Sequence, residues 1–451
     1  MKIGLIGSGG REHAIANALV RNQKRDSLYV FAGHKNPGIE RLAENIAIGP
    51  VTDVNSILGY FEKVDVDFVI VGPEVPLLAG VVDALRGDGI PTVGPTRAQA
   101  RIEGDKAFMR DMIQRRVGWG IPDWRLLSDR QGASDFIAQV GEVAVKPVGL
   151  TGGKGVRVMG VHMDGVGETL DLVEAWIESD GRVLLEERLV GEEFSRMVFI
   201  SDEKIVPMPL AQDFKYAYDG DTGGMTGGMG SYTMADGGMP FVEPADIEQA
   251  DRMIEETVAA LVAETGDDYR GFLYGQFMIT AGGIRVIEYN ARLGDPEAIN
   301  VMLTLQGDTA ELLHQVAVGE LDSDRVTFAP RASLCKYLVP AGYPENPGDP
   351  ISFTLDESKV NEAGFSVVFA SVERDGAKYR TLGSRTVAIA GLGAEPDTGP
   401  VTSLGEISRQ MEELLAVVEP PGLRHRQDVG DADVIREKVE RMKRLRAGRR
   451  D

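Results

Sequence analysis

The sequence predicts a multidomain chain of α/β and α+β type, and three observations carry that prediction. At 451 residues the chain is too long for one ordinary domain and suits about three. Residues 1–102 alternate short apolar runs with helical stretches, whereas 103–328 mix strands and helices around glycine-rich breaks. Residues 329–451 open as strand-rich material. The expected architecture is an N-terminal doubly wound parallel sheet, a central α+β region and a C-terminal strand-rich domain.

In the N-terminal part, 2-KIGLIG-7, 28-LYVFAG-33, 67-DFVIVGP-73 and 90-IPTVGP-95 read as buried parallel strands. Each ends in glycine or proline, where an open α/β sheet places its ligand crevice. In the central part 105-DKAFMRDMIQRR-116 reads as helix, then strands at 143–147, 155–163 and 182–190 with a helix at 165–178. The segment 219-DGDTGGMTGGMGSY-232 breaks the chain. A helix near 244–265 precedes a hairpin of 272-FLYGQFMIT-280 and 284-IRVIEYN-290. From 331-RASLCKYLVPAGYP-344 the strand-rich piece runs to about 420, and the basic tail 436-REKVERMKRLRAGRR-450 reads as a solvated terminal helix rather than an interaction tail.

Bulk properties narrow the function. A net charge of −22 argues against nucleic acid, so an anionic ligand needs local cationic pockets. Cys335 is the only cysteine, which excludes an intramolecular disulfide and a cysteine metal site. The opening 1-MKIGLIGSGG runs straight into a strand and turn, and no stretch approaches a membrane span. The expectation is a cytoplasmic protein working on small molecules, without membrane or nucleic-acid partners.

Two glycine motifs invite a phosphate. In 149-GLTGGKGVRV-158 the phosphate-loop pattern fails, because Val148 stands at its first glycine and Gly155 follows Lys154. With Val156-Arg157-Val158 reading as a strand, the stretch is either a β-loop-β lid or a plain hairpin. In 7-GSGGREH-13 the third fingerprint glycine is Glu12, which would crowd helix against strand, and the second strand ends without an acidic residue. Nicotinamide binding is therefore disfavoured, while the helix start after Gly9-Gly10 still offers an anion site.

The late hairpin holds the strongest local geometry. With its turn at Ala281-Gly282-Gly283, Gln276 faces Glu288, and Asn290 falls on the same side. Three oxygen-bearing side chains in one patch suit Mg²⁺; the alternative is a polar, solvent-facing strand side. Beyond it, Arg292 in 292-RLGDPE-297 can grip a carboxylate or phosphate, or serve only as a surface residue. In 182-RVLLEERLVGEEF-194, Glu186 to Leu189 can offer backbone to an adenine and Glu193 can reach its ribose. Together with Lys146 these pieces describe a nucleotide held between two sheets, its phosphoryl transferred by positioning and electrostatics.

The ordered set GGREH at 9–13, VGPE at 71–74, DKAF at 105–108, GKGV at 153–156, EE at 186–187, GEE at 191–193, TGGMG at 226–230, GFLY at 271–274 and VIEYN-x-R-x-GDPE at 286–297 resembles the glycinamide ribonucleotide synthetases, ATP-grasp ligases of purine synthesis. The resemblance covers nearly the whole chain. It implies a central ATP-grasp fold of two α+β lobes, with a lid lobe at about 120–190. It implies ligation of glycine to 5-phosphoribosylamine through glycyl phosphate, by a monomer or weak homodimer. Lys106 and Lys146 would contact ATP phosphates, with Gly152, Gly153 and Lys154 in the lid. Backbone at Glu187 and Leu189 would read adenine and Glu193 the ribose, with Glu186 also in the ATP site. Gln276, Glu288 and Asn290 would hold Mg²⁺ or Mn²⁺. Gly9, Gly10, Glu12, Pro73, Glu74, Asp213, Lys215, Gly227, Gly228 and Met229 would line the substrate pocket, with Arg292, Asp295 and Lys154 as the catalytic groups.

The sequence departs from the family pattern at three places. A compact G-N-x-G becomes 33-GHKNPG-38, and the common D-H-K-R reads 213-DFKY-216. Lys215 remains, and Tyr216 or Tyr218 is expected to take over part of the substrate contacts. Gln276 stands where an acid is common, so weaker metal binding is expected.

Overall fold

The structure is a computed structural model that describes residues 1–21, 26–149, 155–394 and 400–448. Its N-terminal sheet is parallel throughout, with strands in the order Ala43–Ile48, Ser27–Ala32, Lys2–Ile6, Phe68–Val71, Thr92–Val93. The chain therefore reverses direction between Lys2–Ile6 and Phe68–Val71, and the crevice at such a switch point lies at Gly7–Gly9 and Gly72–Glu74. Ala43–Ile48 is a strand the sequence did not announce. It is a half-exposed edge element that follows helix Pro37–Leu42 without a turn signal.

The central region has two sheets. One takes strands Trp124–Leu127, Val183–Glu187, Val143–Lys146 and Arg157–Val158 in that order, covered by helices Arg130–Val140 and Gly165–Asp180. This lobe has its own apolar core around Phe136, Val145, Val173 and Leu185. Val145 pairs antiparallel with Arg157, so the glycine stretch joins two strands, as a β-loop-β element does. The other sheet orders Lys204–Pro207, Glu192–Ser201, Arg270–Thr280 and Gly283–Asn290.

The third large sheet crosses the expected boundary near 328. It takes Gln212–Asp213 and Gly230–Thr233 from the central region and joins them to Ser333–Pro340, Val387–Leu392 and Ser366–Phe369. The glycine segment is thereby held at both ends by the C-terminal part. Within that part Pro400–Val418 is helical where strand-rich material was expected. Leu404, Ile407, Met411, Leu414, Leu415 and Val418 are buried at helical spacing, which decides the outcome.

The terminal helix Ala432–Arg446 forms as expected but is not merely solvated. Arg441 Nε donates to the buried carboxylate of Glu192 at 2.6 Å. Lys438 Nζ sits 4.6 Å from the Phe214 ring centre, and Arg446 pairs with Glu243 and Asp246. The excess of basic residues in the tail is thus matched to acids on the central body. Among the described residues no helix is long and apolar enough to cross a membrane.

Candidate active site

The nucleotide half starts from helix Lys106–Arg116, whose N-cap Asp105 accepts from the Phe108 amide. Lys106 and Arg110 lie one turn apart on one face. Lys106 Nζ reaches the Gly149 carbonyl at 2.9 Å, at the entrance to the glycine loop. Arg110, fully buried, donates Nε and Nη2 to the two oxygens of Glu186 at 2.7 and 2.9 Å. Lys146 Nζ meets the same carboxylate at 2.6 Å. Burial alone would raise the Glu186 carboxyl, but Arg110 and Lys146 outweigh it and hold it down at about 2. The Glu186 carboxylate is therefore an ionised anchor for two cations. The Glu187 amide is committed to the Asp123 carbonyl at 2.8 Å, which leaves the Glu187 carbonyl and Leu189 for a base. Gly152, Gly153 and Lys154 lie outside the described residues.

The hairpin reaches its expected pairing by an unexpected route. The turn is one residue tighter, since Thr280 already faces Gly283. A bulge between the Gln276 and Phe277 pairings, at Ile287, then restores the register, so that Gln276 faces Glu288 and Tyr274 faces Asn290. Arg110 captures what the bulge frees. Its Nη1 donates to the Val286 carbonyl at 3.0 Å and its Nη2 to Ile287 at 2.7 Å. One guanidinium thus ties the lid lobe to the bulge that aims Glu288.

Glu288 is ionised. Burial raises its carboxyl, but Lys215, Lys106 and Lys146 lower it further. An acid under the electrostatic influence of three lysines suits a metal–polyphosphate pair. Asn290 Nδ2 lies 3.5 Å from Glu288 Oε1, and its Oδ1 faces Arg292 Nη2 at 3.3 Å. The donor set of Glu288 and Asn290 fits a hard divalent cation completed by phosphate and water. Gln276 is placed beside them but is committed elsewhere. Its Nε2 donates to Glu193 at 2.8 Å and its Oε1 accepts from the Tyr274 hydroxyl. A glutamate there would set one carboxylate against another. Among the described residues no group of three or more His, Cys, Asp or Glu side chains is arranged to hold a metal.

The acceptor half gathers distant segments. Arg292 Nη2 pairs with Glu103 at 2.8 Å, and its Nε lies 3.3 Å from Glu74. Burial pushes the Glu103 carboxyl up to about 7, more than Arg292 pulls it down. For Glu74, Arg292 and Arg11 overcome burial and bring it to about 2. Glu103 carried no sequence signal, although its carboxylate also accepts the Ala291 amide at 2.8 Å. Pro73 is the N-cap of helix Glu74–Ala79. Glu12 is turned inward, accepting from the Gly9 amide at 2.6 Å and from Arg11 at 2.7 Å. The crowding expected of it does not arise, because a Cβ on Gly7 or Gly72 would stand within 2.6 Å of its side chain and both are glycine.

The glycine segment supplies the rest. Lys215 Nζ lies 3.6 Å from Glu193 and 3.8 Å from Asp213. Thr226 closes the loop on the Lys215 carbonyl, and Met229 is wholly buried with its amide on Phe214 O at 2.7 Å, a packing residue rather than a wall of a pocket. Tyr216 stacks on His162 of the lid lobe at 6.1 Å, and Tyr218 lies under Arg424. Burial, and then the charge of Glu193, raise the pKa of the Tyr216 hydroxyl. Phe214 is a platform for Arg426 and Lys438. In 33-GHKNPG-38, Asn36 caps helix Pro37–Leu42 and donates to Ser8 O and Phe369 O, while His34 bridges Ser8 and Ala370 O. The longer loop is a structural joint between the N- and C-terminal parts.

Comparison with known proteins agrees with this geometry. Residues 1–103 match the phosphoribosylglycinamide synthetase N domain and residues 104–298 its ATP-grasp (A) domain. A phosphoribosylamine–glycine ligase of Methanopyrus kandleri is 42% identical, covering 99% of both chains. One of Methanoregula boonei is 44% identical over 99% of this chain and 100% of its own. The crystal structure of phosphoribosylamine–glycine ligase from Thermotoga maritima superposes with a TM-score of 0.78 at 25% identity, over 95% of this chain and 100% of that one. The biotin carboxylase domain of Hydrogenobacter thermophilus 2-oxoglutarate carboxylase shares the fold, with a TM-score of 0.69 at 14% identity over 99% of this chain and 95% of that one. Two sheets closing on a lysine-ringed carboxylate, a parallel sheet whose switch point faces it, and full-length likeness to these ligases lead to one conclusion: the chain belongs to the phosphoribosylglycinamide synthetase family.

Proposed function

We propose that the chain joins glycine to 5-phosphoribosylamine at the expense of ATP, giving glycinamide ribonucleotide, ADP and phosphate in de novo purine biosynthesis. One observation carries this reading. Strand Gly283–Asn290 delivers Glu288 among three lysines and leads directly to Arg292 at the N-terminal switch point. The residues read as serving phosphoryl donor and acceptor thus follow one another at the C-terminal end of one strand.

A glycine carboxylate oxygen attacks the γ-phosphorus, and the bond to the ADP oxygen breaks. The sugar amine then attacks the acyl carbon of glycyl phosphate. Phosphate leaves, and the amine proton passes to it or to solvent. Lys106 and Lys146 neutralise the phosphates, and Lys154 is read as a third cation for them. The Glu187 carbonyl and Leu189 backbone hold adenine, and Glu193 the ribose. The 3.3 Å contact of Arg292 with Glu74 is the one an incoming glycine carboxylate would displace. Gly9, Gly10 and Gly227-Gly228 line the acceptor pocket with Asp213 and Lys215. Glu288 and Asn290 would hold Mg²⁺ or Mn²⁺, which would supply charge neutralisation at the transferring phosphoryl group. The enzyme is read as cytoplasmic, and as a monomer or weak homodimer.

The test is ADP release with ATP and Mg²⁺, omitting glycine or phosphoribosylamine in turn. Release that needs both supports the reading. Release supported by bicarbonate without glycine would move the function to another ATP-grasp activity.

A further inference from the structure

The C-terminal part places a partly buried arginine at the acceptor pocket that neither the sequence motifs nor the reaction accounts for. Arg385 stands between strands Lys378–Thr381 and Val387–Leu392, with a side chain only 16% exposed. Its Nη1 donates to the Gly227 carbonyl at 2.7 Å, to Gly228 at 3.3 Å and to the Asp295 carbonyl. Its Nη2 lies 3.3 Å from the Asp295 carboxylate. The other Asp295 oxygen accepts from the Tyr337 hydroxyl at 2.6 Å, and the guanidinium lies 4.9 Å from the Tyr337 ring centre.

This arrangement depends on missing side chains. A Cβ on Gly227 would stand 3.1 Å from the guanidinium, and one on Gly228 would strike Pro296 at 2.5 Å. Gly228 also has φ +111°, a conformation L side chains rarely adopt. A Cβ on Gly10 would meet the Tyr337 hydroxyl at 2.1 Å, so that hydroxyl rests against the N-terminal switch point. Three chain segments distant in sequence therefore converge on one residue pair from the C-terminal part. They are Gly9-Gly10, TGGMG at 226–230 and GDPE at 294–297. A guanidinium suits this task, because its planar fork serves several acceptors at once where an ammonium cannot hold the same geometry.

We propose that Arg385, with Tyr337, is a positioning residue that locks the TGGMG loop to the GDPE loop and so sets the shape of the glycine and phosphoribosylamine pocket. This accounts for the two motifs occurring together: each supplies carbonyls to the same cation. It also recasts Asp295, whose carboxylate is engaged by the lock rather than free for the reacting groups. The inference rests on the ligase reading given above.

Steady-state kinetics of Arg385→Lys, varying each substrate in turn, tests it. The expected result is a rise of about tenfold or more in KM for glycine and for phosphoribosylamine, with KM for ATP within about twofold of wild type. If the acceptor constants stay within about twofold, whether or not kcat falls, the lock is not a positioning device and the proposal is overturned. A parallel rise of all three constants overturns it as well. Should Arg385→Lys not fold, Tyr337→Phe deletes only the hydroxyl on Asp295. It is expected to raise the same two constants about threefold or more, and unchanged constants would overturn the proposal. Wild-type ADP release that did not need glycine would instead defeat the ligase reading and leave the lock's geometry standing.

Discussion

Two arginines, Arg110 fully buried and Arg385 partly so, divide the site, and the contrast between them is instructive. Arg110 pins the nucleotide half by gripping Glu186 of the lid lobe and the carbonyls of the bulge below Glu288. Arg385 pins the acceptor half by gripping carbonyls of the glycine loop and of Asp295. Both do main-chain work with side-chain charge, and both are balanced by one carboxylate. They differ in reach. Arg110 works within the central region, whereas Arg385 binds the C-terminal part to loops that face the N-terminal sheet. On the proposed reading, the phosphate chemistry is built inside two lobes, and acceptor specificity is assembled from across the whole chain.

The largest expected effect removes what the two halves share. Glu288→Ala takes away the carboxylate at the centre of three lysines, and kcat should fall by about a thousandfold or more in the ADP-release assay. Retention of more than a tenth of wild-type turnover would mean that the metal–phosphate reading of this residue is wrong.

Next comes the nucleotide pin alone. Glu186→Gln leaves Arg110 and Lys146 without their buried counter-charge, and the unfolding free energy should drop by about 3–5 kcal/mol in urea titration. Arg110→Lys keeps the charge but loses the fork. It should raise KM for ATP about tenfold, with the acceptor constants little changed.

A pH experiment probes the acceptor side. His13 Nδ1 accepts from the Phe369 amide at 2.8 Å, which joins the first helix to the C-terminal part. Burial, with Arg41 adding to it, lowers the His13 pKa to about 4. Between pH 6.5 and about 4 the unfolded chain therefore binds a proton that the folded chain refuses. The stabilisation is complete above 6.5 and is lost as pH falls through that window, by about 3 kcal/mol in all. His13→Gln should flatten this part of the Tm–pH profile; an unaltered slope would show that other groups produce it.

The smallest effect is expected at the departures in the substrate loop. With Tyr216 stacked on His162 and Tyr218 under Arg424, Tyr216→Phe and Tyr218→Phe should leave every KM within about twofold. A clear rise for either would restore these hydroxyls to the pocket.

What the sequence disclosed follows the same divide. The partnership of Gln276 with Glu288 was legible, though only because the bulge at Ile287 offsets a turn one residue tighter than expected. The bulge at Ile287 was not, because it is held by Arg110, 176 residues earlier than Val286. Glu186 was visible as an acid on an apolar strand, but its partners Arg110 and Lys146 were not, because they come from a helix and a neighbouring strand. Glu103, Tyr337 and Arg385 sit in no motif and gain meaning only where distant segments meet. The basic tail looked solvated because its partners Glu192, Glu243 and Asp246 are some 200 residues away. The lid lysine, Lys154, was named from the glycine stretch alone and lies outside the described residues.

The most direct test of the divided site measures all three Michaelis constants for Arg110→Lys and Arg385→Lys in one assay. A crossed pattern is predicted: ATP weakened in the first variant with the acceptors spared, and the acceptors weakened in the second with ATP spared. If both variants weaken all three substrates alike, the two arginines do not pin separate halves, and the account is contradicted.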